Sequence, residues 1–435
     1  MTLEQIEKFL QRYQQQDLYS QIASLPLSKQ KQIASELADI AKNIGEENFF
    51  SRQDACSSHE KLNPFQEPRQ QNQEDKALGE QAIREGKVIA LLLAGGDGSR
   101  LKSSRPKGCF EISLIKNKSL FQLHAEKIAA LQTQLGCALP LIILTSPHNE
   151  TETKSYFEKH QFFHLDPKLV FFITQPLWPL YTLEKKWFFK SLGELATGPN
   201  GNGGLFQALF PLLETLSHYE YLMISNLDNP LATLYDAALI GAHERTEAEV
   251  SLRCCEKKYS KEKVGVFAYR GNRLHIIDYT SLPENATFPY ANINILCFSL
   301  SFVRRLSSQS SLPIHWIEKK GVFYDFKEDI SKEITFLKGE KFLSDTIAFA
   351  DKVTLLASLS EEHFAPLKGM EDVPVVKEAL LRKDKKIFHE LTGLDTQRHT
   401  FELSMEFHYP SQALIEKCRC LQSIPQEHYI TSESL

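Results

Sequence analysis

The apolar run Val88-Ile89-Ala90-Leu91-Leu92-Leu93 breaks off into Ala94-Gly95-Gly96-Asp97-Gly98, and that junction limits the fold more than any other stretch of the chain. A strand without a polar position has no face for water, so it belongs inside a sheet covered on both sides. Sheets of that kind are largely parallel and are assembled from strand–helix–strand units. The glycines let main-chain N–H groups approach an anion closely. Arg100, Lys102, Arg105 and Lys107 follow directly, and such cations neutralise charge moving between phosphates.

The neighbouring pattern agrees with a parallel sheet. Leu120, Leu123, Ile128, Leu131 and Leu135 fall near one face of a helix, and Leu139–Leu144 reads as the next strand. A helix around Thr151–His160 and a strand Leu169–Ile173 follow. A second glycine cluster, Gly198–Gly204, opens a helix over Leu205–Leu216. The strand Tyr219–Ile224 then leads into Asn226-Leu227-Asp228-Asn229-Pro230. Alternation of this kind predicts a mainly parallel sheet with helices on both faces. Beyond residue 248, Glu249–Cys254, Val264–Tyr269, Arg273–Ile277 and Asn294–Phe298 read as an antiparallel extension. Lys341–Phe349 reads as a helix and Val353–Leu359 as a strand. Residues 1–85 form a helical N-terminal region, with Ile6, Phe9, Leu10 and Tyr13 at helical spacing and a loop over Arg52–Asp75. Residues 86–369 form the main domain, and 370–435 a small C-terminal region. The run Lys383–Lys386 reads as solvated surface.

A chain of 435 residues exceeds one ordinary core, so two or three domains are expected. A net charge of -5 argues against a protein that coats nucleic acid. Eight cysteines without a C-x-x-C spacing read as reduced thiols in a cytoplasmic protein. The N-terminus lacks the apolar core of a signal peptide. No apolar run approaches the roughly 20 residues of a membrane span, so no membrane partner is expected. The Asn285-Ala286-Thr287 sequon therefore carries no weight.

The first glycine loop is neither a Rossmann nor a Walker A motif. Counting from Gly96, the third Rossmann glycine is Leu101, and G-K-[ST] is missing. Alone, the loop reads equally well as a strand-to-helix turn. Arg100 and Pro106-Lys107 shift the balance, because proline stiffens the backbone just before a cation. The full string, L-x-x-G-G-x-G-[ST]-R-L-x-x-x-x-P-K, resembles the signature of the uridylyltransferases that make UDP-sugars. The chain most resembles the eukaryotic-type UDP-N-acetylhexosamine pyrophosphorylases, from about residue 60 to 370. Further matches, in order, include Asn200-Gly201-Asn202-Gly203-Gly204-Leu205, Leu227-Asp228-Asn229, Ala291-Asn292, Glu340-Lys341-Phe342 and Ala365-Pro366-Leu367-Lys368.

The resemblance implies a nucleotide-diphospho-sugar transferase fold, GT-A-like and Rossmann-like, with 86–369 as the catalytic domain. It implies Mg²⁺-dependent transfer of uridylyl from UTP to a sugar 1-phosphate, most closely N-acetylglucosamine 1-phosphate. A phosphate with a second pKa of about 6 is already an ionised nucleophile, so positioning and charge neutralisation carry the reaction. By resemblance, Arg100 and Lys107 face the triphosphate and Lys368 the sugar phosphate. Asp228 holds Mg²⁺. Ala94, Gly95, Gly96 and Gln175 meet the nucleotide, and Gly201 and Asn202 line the junction of base and sugar. Gly265, Asp278, Asn292 and Phe342 meet the sugar. Three positions depart from the family pattern: Asp278 for Glu, Ser344 for an aromatic residue, and Lys102 for glycine. Glucose 1-phosphate as substrate, a glycosyltransferase on a related fold, and a non-catalytic nucleotide-sugar binding protein are the alternatives.

Overall fold

The computed structural model describes residues 1–44, 61–96, 98–259, 262–283, 287–308 and 312–435. Asp97, the sequon residues Asn285 and Ala286, and the first part of the expected Arg52–Asp75 loop lie outside them. The described chain forms two compact units, each drawn from three segments: 1–60 with 175–210 and 306–346, and 61–174 with 211–305 and 347–435. These units cut across the sequence-based divisions at 85 and 369.

The larger unit is built on a mixed sheet of ten strands whose centre is mainly parallel. Val88–Leu93 is buried along its length and lies between two parallel neighbours, Leu141–Thr145 and Tyr221–Asn226. Val170–Thr174 continues the parallel run beyond Leu141–Thr145. On the other side, Tyr290–Ser299 runs antiparallel to Tyr221–Asn226, then pairs with Val250–Glu256, which pairs in parallel with Val353–Ser358. Successive strands therefore step one way from Val88–Leu93, and the chain then returns to its opposite side. The reversal falls between Val88–Leu93 and Tyr221–Asn226, a topological switch point at whose carboxyl ends α/β folds bind ligands.

Helices cover this sheet as the apolar spacing predicts. Leu120–Leu135 starts at Ser119, whose side chain accepts from Gln122 N, and stops at Gly136 in the left-handed region. It buries Leu120, Leu123, Ile128 and Leu131. The C-terminal region is ordered rather than featureless. Its helix Val373–Thr392 ends at Gly393, and Phe388 packs with Phe401, Leu403, Phe407, Leu414 and Ile430 in a small core.

The smaller unit joins the helices Leu3–Arg12, Gln16–Ser24 and Leu27–Ile44 to a five-stranded sheet. Ile6, Leu10, Ile33 and Leu37 pack with Trp178, Trp187, Phe189 and Leu195. Its main feature is the hairpin His315–Asp325 with Ile330–Glu340, which the sequence did not announce. Charged residues occupy both faces of these strands, so no clean period of two appears. The expected helix at Lys341–Phe349 is a 3-10 segment over Leu343–Phe349. The expected helix Leu205–Leu216 is α-helical only to Leu209.

Candidate functional site

In the larger unit, the glycine loop and the Asp228 loop leave adjacent parallel strands at one level, because Leu93 is in register with Asn226. Across this edge the Lys107 Nζ donates to Asp228 Oδ2 at 2.9 Å. Both side chains are mostly covered, at 13% and 22% exposure, so the pair is shielded yet reachable. Gly98 supports the approach: it sits at φ 68, where a Cβ would press on Lys107 Cα at 3.3 Å. Lys107 N completes the turn by donating to Gly96 O at 3.4 Å. Arg100 is exposed on the short turn Ser99–Leu101. Arg105 is committed elsewhere, to Glu152 at 3.3 Å and the Tyr156 ring at 5.1 Å. Lys102 adopts a left-handed conformation, φ 52, in which glycine is the residue without strain.

The expected phosphate-facing segment Ala365–Lys368 is strapped to the same loop. Leu367 N donates to Asp228 O at 2.8 Å, and Ala365 N to Asn229 Oδ1 at 3.1 Å. The Asn229 amide donates in turn to His363 O at 2.7 Å. Lys368 is exposed next to this strap.

Gly265, Asp278 and Asn292 also converge. Asn292 N donates to Gly265 O at 2.8 Å, and the pairing of Val266 with Ile277 sets Asp278 beside Gly265. The strand containing Asn292 runs antiparallel to Tyr221–Asn226, with Ile295 opposite Ser225, so Asn292 reaches the level of Asp228. The Asn292 amide donates to Asn294 Oδ1 at 2.7 Å. Asp278 Oδ1 accepts from Thr280 N at 2.9 Å.

The remaining expected residues gather in the smaller unit. Gln175 is buried and donates to Gly201 O at 2.9 Å. Gly201 has φ 84 and ψ 171, a conformation essentially confined to glycine, and a Cβ there would lie 2.4 Å from Lys341 O. Asn202 Oδ1 accepts from Leu343 N at 2.9 Å, beside Phe342. The His315 ring lies 4.6 Å from Phe342, and its Nε2 donates to Asp345 at 2.8 Å.

Three supporting residues had no assigned role. Asn149 is buried, donates to Ala94 O at 3.1 Å and Gly96 O at 3.3 Å, and accepts from Ser146 N at 2.9 Å. It sits where an asparagine reads simply as a helix cap. His124 and Lys127 reach the Asp228 loop from helix Leu120–Leu135, with His124 Nε2 donating to Leu227 O at 3.0 Å. Burial pushes the His124 pKa down to about 3, so the ring is neutral there. Lys127 interrupts the apolar face between Leu123 and Leu131, a visible signal for an inward lysine. The Lys383–Lys386 run is not all solvated surface, since Asp384 is buried and Lys383 donates inward to Leu231 O at 3.1 Å.

A glycine loop, a lysine and an aspartate thus meet at the switch point of the sheet in an α/β fold. The chain matches the UTP–glucose-1-phosphate uridylyltransferase family over residues 36–426 and belongs to it. It is 32% identical over 322 residues to UDP-N-acetylglucosamine diphosphorylase 2 of Arabidopsis thaliana, an alignment covering 67% of this chain and 63% of that protein. It is also 32% identical over 317 residues to UDP-N-acetylhexosamine pyrophosphorylase-like protein 1 of Homo sapiens, covering 67% and 62%. The chain thus spans a little under two thirds of these relatives' length. The uridine diphosphate N-acetylglucosamine pyrophosphorylase of Trypanosoma brucei, solved with an inhibitor, shares the fold with a TM-score of 0.84. That alignment is 23% identical and covers 99% of this chain and 98% of that one.

Proposed function

We propose that this protein is a nucleotidyltransferase that makes a UDP-sugar and pyrophosphate from UTP and a sugar 1-phosphate, with N-acetylglucosamine 1-phosphate as the acceptor. The observation that carries the reading is the Lys107–Asp228 pair at 2.9 Å across the switch point. A sugar-phosphate oxygen attacks the α-phosphorus of UTP, the bond from that phosphorus to the bridging oxygen breaks, and pyrophosphate leaves with the electron pair. One phosphoanhydride replaces another, so the reaction is reversible. The obstacle is repulsion between two anions, and the residues present address it. Lys107 and Arg100 neutralise the triphosphate. Lys368, strapped beside Asp228, draws in the sugar phosphate. Ala94 N and O are occupied by Leu144 O and Asn149, so Gly95 N–H, which makes no bond among the described residues, is the main-chain donor for uracil. In the smaller unit, the Gln175 amide, with Gly201 and Asn202 beside it, is the group proposed for a nucleotide. In the larger unit, Gly265, Asp278 and Asn292 are the groups proposed for the sugar.

Asp228 fits a divalent metal, Mg²⁺ by preference. One carboxylate oxygen is on Lys107, and the other makes no bond among the described residues. No group of three or more His, Cys, Asp or Glu placed to hold a metal occurs among the described residues. A hard cation that takes most of its ligands from phosphate and water needs no such group. When bound, it supplies further neutralisation of phosphate charge.

The names of the relatives favour the N-acetylated sugar. No helix among the described residues is long and apolar enough to cross a membrane, and the cytoplasm is the proposed location. Pyrophosphate release with UTP against a panel of sugar 1-phosphates tests the reading. Preference for N-acetylglucosamine 1-phosphate is expected. A strong preference for glucose 1-phosphate overturns the sugar assignment. Release of UDP marks a glycosyltransferase, and binding without turnover a sensor.

A further inference from the structure

The loop that carries Asp228 has an unusual main chain: six consecutive carbonyls, at residues 227–232, each accept a hydrogen bond. His124 serves Leu227 and Leu367 N serves Asp228. Within the loop, Ala232 N serves Asn229. Lys127 Nζ serves both Pro230 and Ala232, and Lys383 Nζ serves Leu231 at 3.1 Å. Five of the six hydrogen bonds come from side chains or amides outside the loop. Two inward-turned lysine Nζ groups hold three successive residues, although burying a polar group is costly and apolar packing would cover the loop without them. What apolar packing cannot do is satisfy and fix carbonyls that have no helix or sheet partner.

Lys127 comes from the sheet-covering helix, whereas Lys383 comes from the helix of the C-terminal region, Val373–Thr392. We propose that Lys383, acting with Lys127, is a positioning residue of the reaction. It fixes the loop that carries Asp228, so the segment 370–435 sets the placement of that carboxylate. The proposal rests on the reaction proposed above. Burial lowers the Lys383 pKa to about 8. The charged or titratable groups around it are Asp384 on its own helix, Glu362, His363, the Asp236–Arg253 pair, Lys127 and His408. The ammonium is therefore lost as pH rises through about 8, and the charge-assisted hydrogen bond to the loop weakens to a neutral amine's.

The test uses the full chain carrying Lys383→Met or Lys383→Arg, with hydrogen–deuterium exchange alongside kinetics. Lys383→Met is expected to lower kcat by roughly 10- to 100-fold, with KM for both substrates within about threefold, as for a displaced catalytic group. Exchange should rise over residues 227–232 and not across the chain. Lys383→Arg, which keeps donor and charge, should recover most of kcat and keep it above the pH at which the wild type falls. Should Lys383→Met fail to fold, Lys383→Gln carries the same comparison. Wild-type kcat and exchange in Lys383→Met would overturn the proposal, and so would exchange that rises equally everywhere. If the wild type released no pyrophosphate, the reaction would be misassigned, and exchange at 227–232 would still decide whether Lys383 holds the loop.

Discussion

Replacing Asn149 with alanine removes three hydrogen bonds from beneath the glycine loop. The Gly96 carbonyl belongs to an exposed residue and can turn to water at little cost. Ala94 and Ser146 are buried at 2% and 1% exposure, so the Ala94 carbonyl and the Ser146 N–H lose their partners out of reach of solvent. Each such loss costs about 1–3 kcal/mol, and partial relaxation gives about 2–4 kcal/mol for the pair. Equilibrium urea unfolding measures that figure, and KM for UTP from pyrophosphate release measures the loosened loop. Asn149→Asp keeps the acceptor for Ser146 N but turns a buried carboxylate on two carbonyls, so stability should fall at least as far as in the alanine variant and UTP affinity further. An alanine variant within about 0.5 kcal/mol of wild type with unchanged KM would refute the reasoning, because effects that small are typical of substitutions touching no such feature.

Lys107→Ala should lower kcat by on the order of 10²-fold or more, comparable to losing one donor aimed at developing charge, and near-normal turnover would contradict its role. Gln175→Ala should raise KM for UTP more than KM for the sugar phosphate; equal rises would mean that Gln175 does not read the base. Lys102→Gly should stabilise the protein by about 0.5–1 kcal/mol. Relief of the left-handed strain, about 1–2 kcal/mol, outweighs the added freedom of the unfolded chain. A lower thermal midpoint for this variant would show that Lys102 is held by something worth more than its strain.

Much of the larger unit could be read along the chain. Val88–Leu93 declares its burial by composition alone, and alternation of strand and helix implies the parallel sheet. From that sheet the meeting of Lys107 with Asp228 nearly follows, since both lie just past strands that end at one edge. The hairpin over residues 315–340 was hidden because its charged residues face both ways. The division into units was hidden as well: the N-terminal helices find their apolar partners at Trp178, Trp187 and Phe189, far along the chain.

The local sequence determined which strands are buried, where glycine admits a close approach, and which cations and carboxylates stand ready for phosphate chemistry. Each of these is a property of side chains and their spacing. Tertiary structure alone decided what holds those groups still. Asn149, Lys127 and Lys383 act on main-chain carbonyls of distant segments. A carbonyl is the same chemical group at every residue, so the sequence carries no mark of which one a buried amide or ammonium will meet.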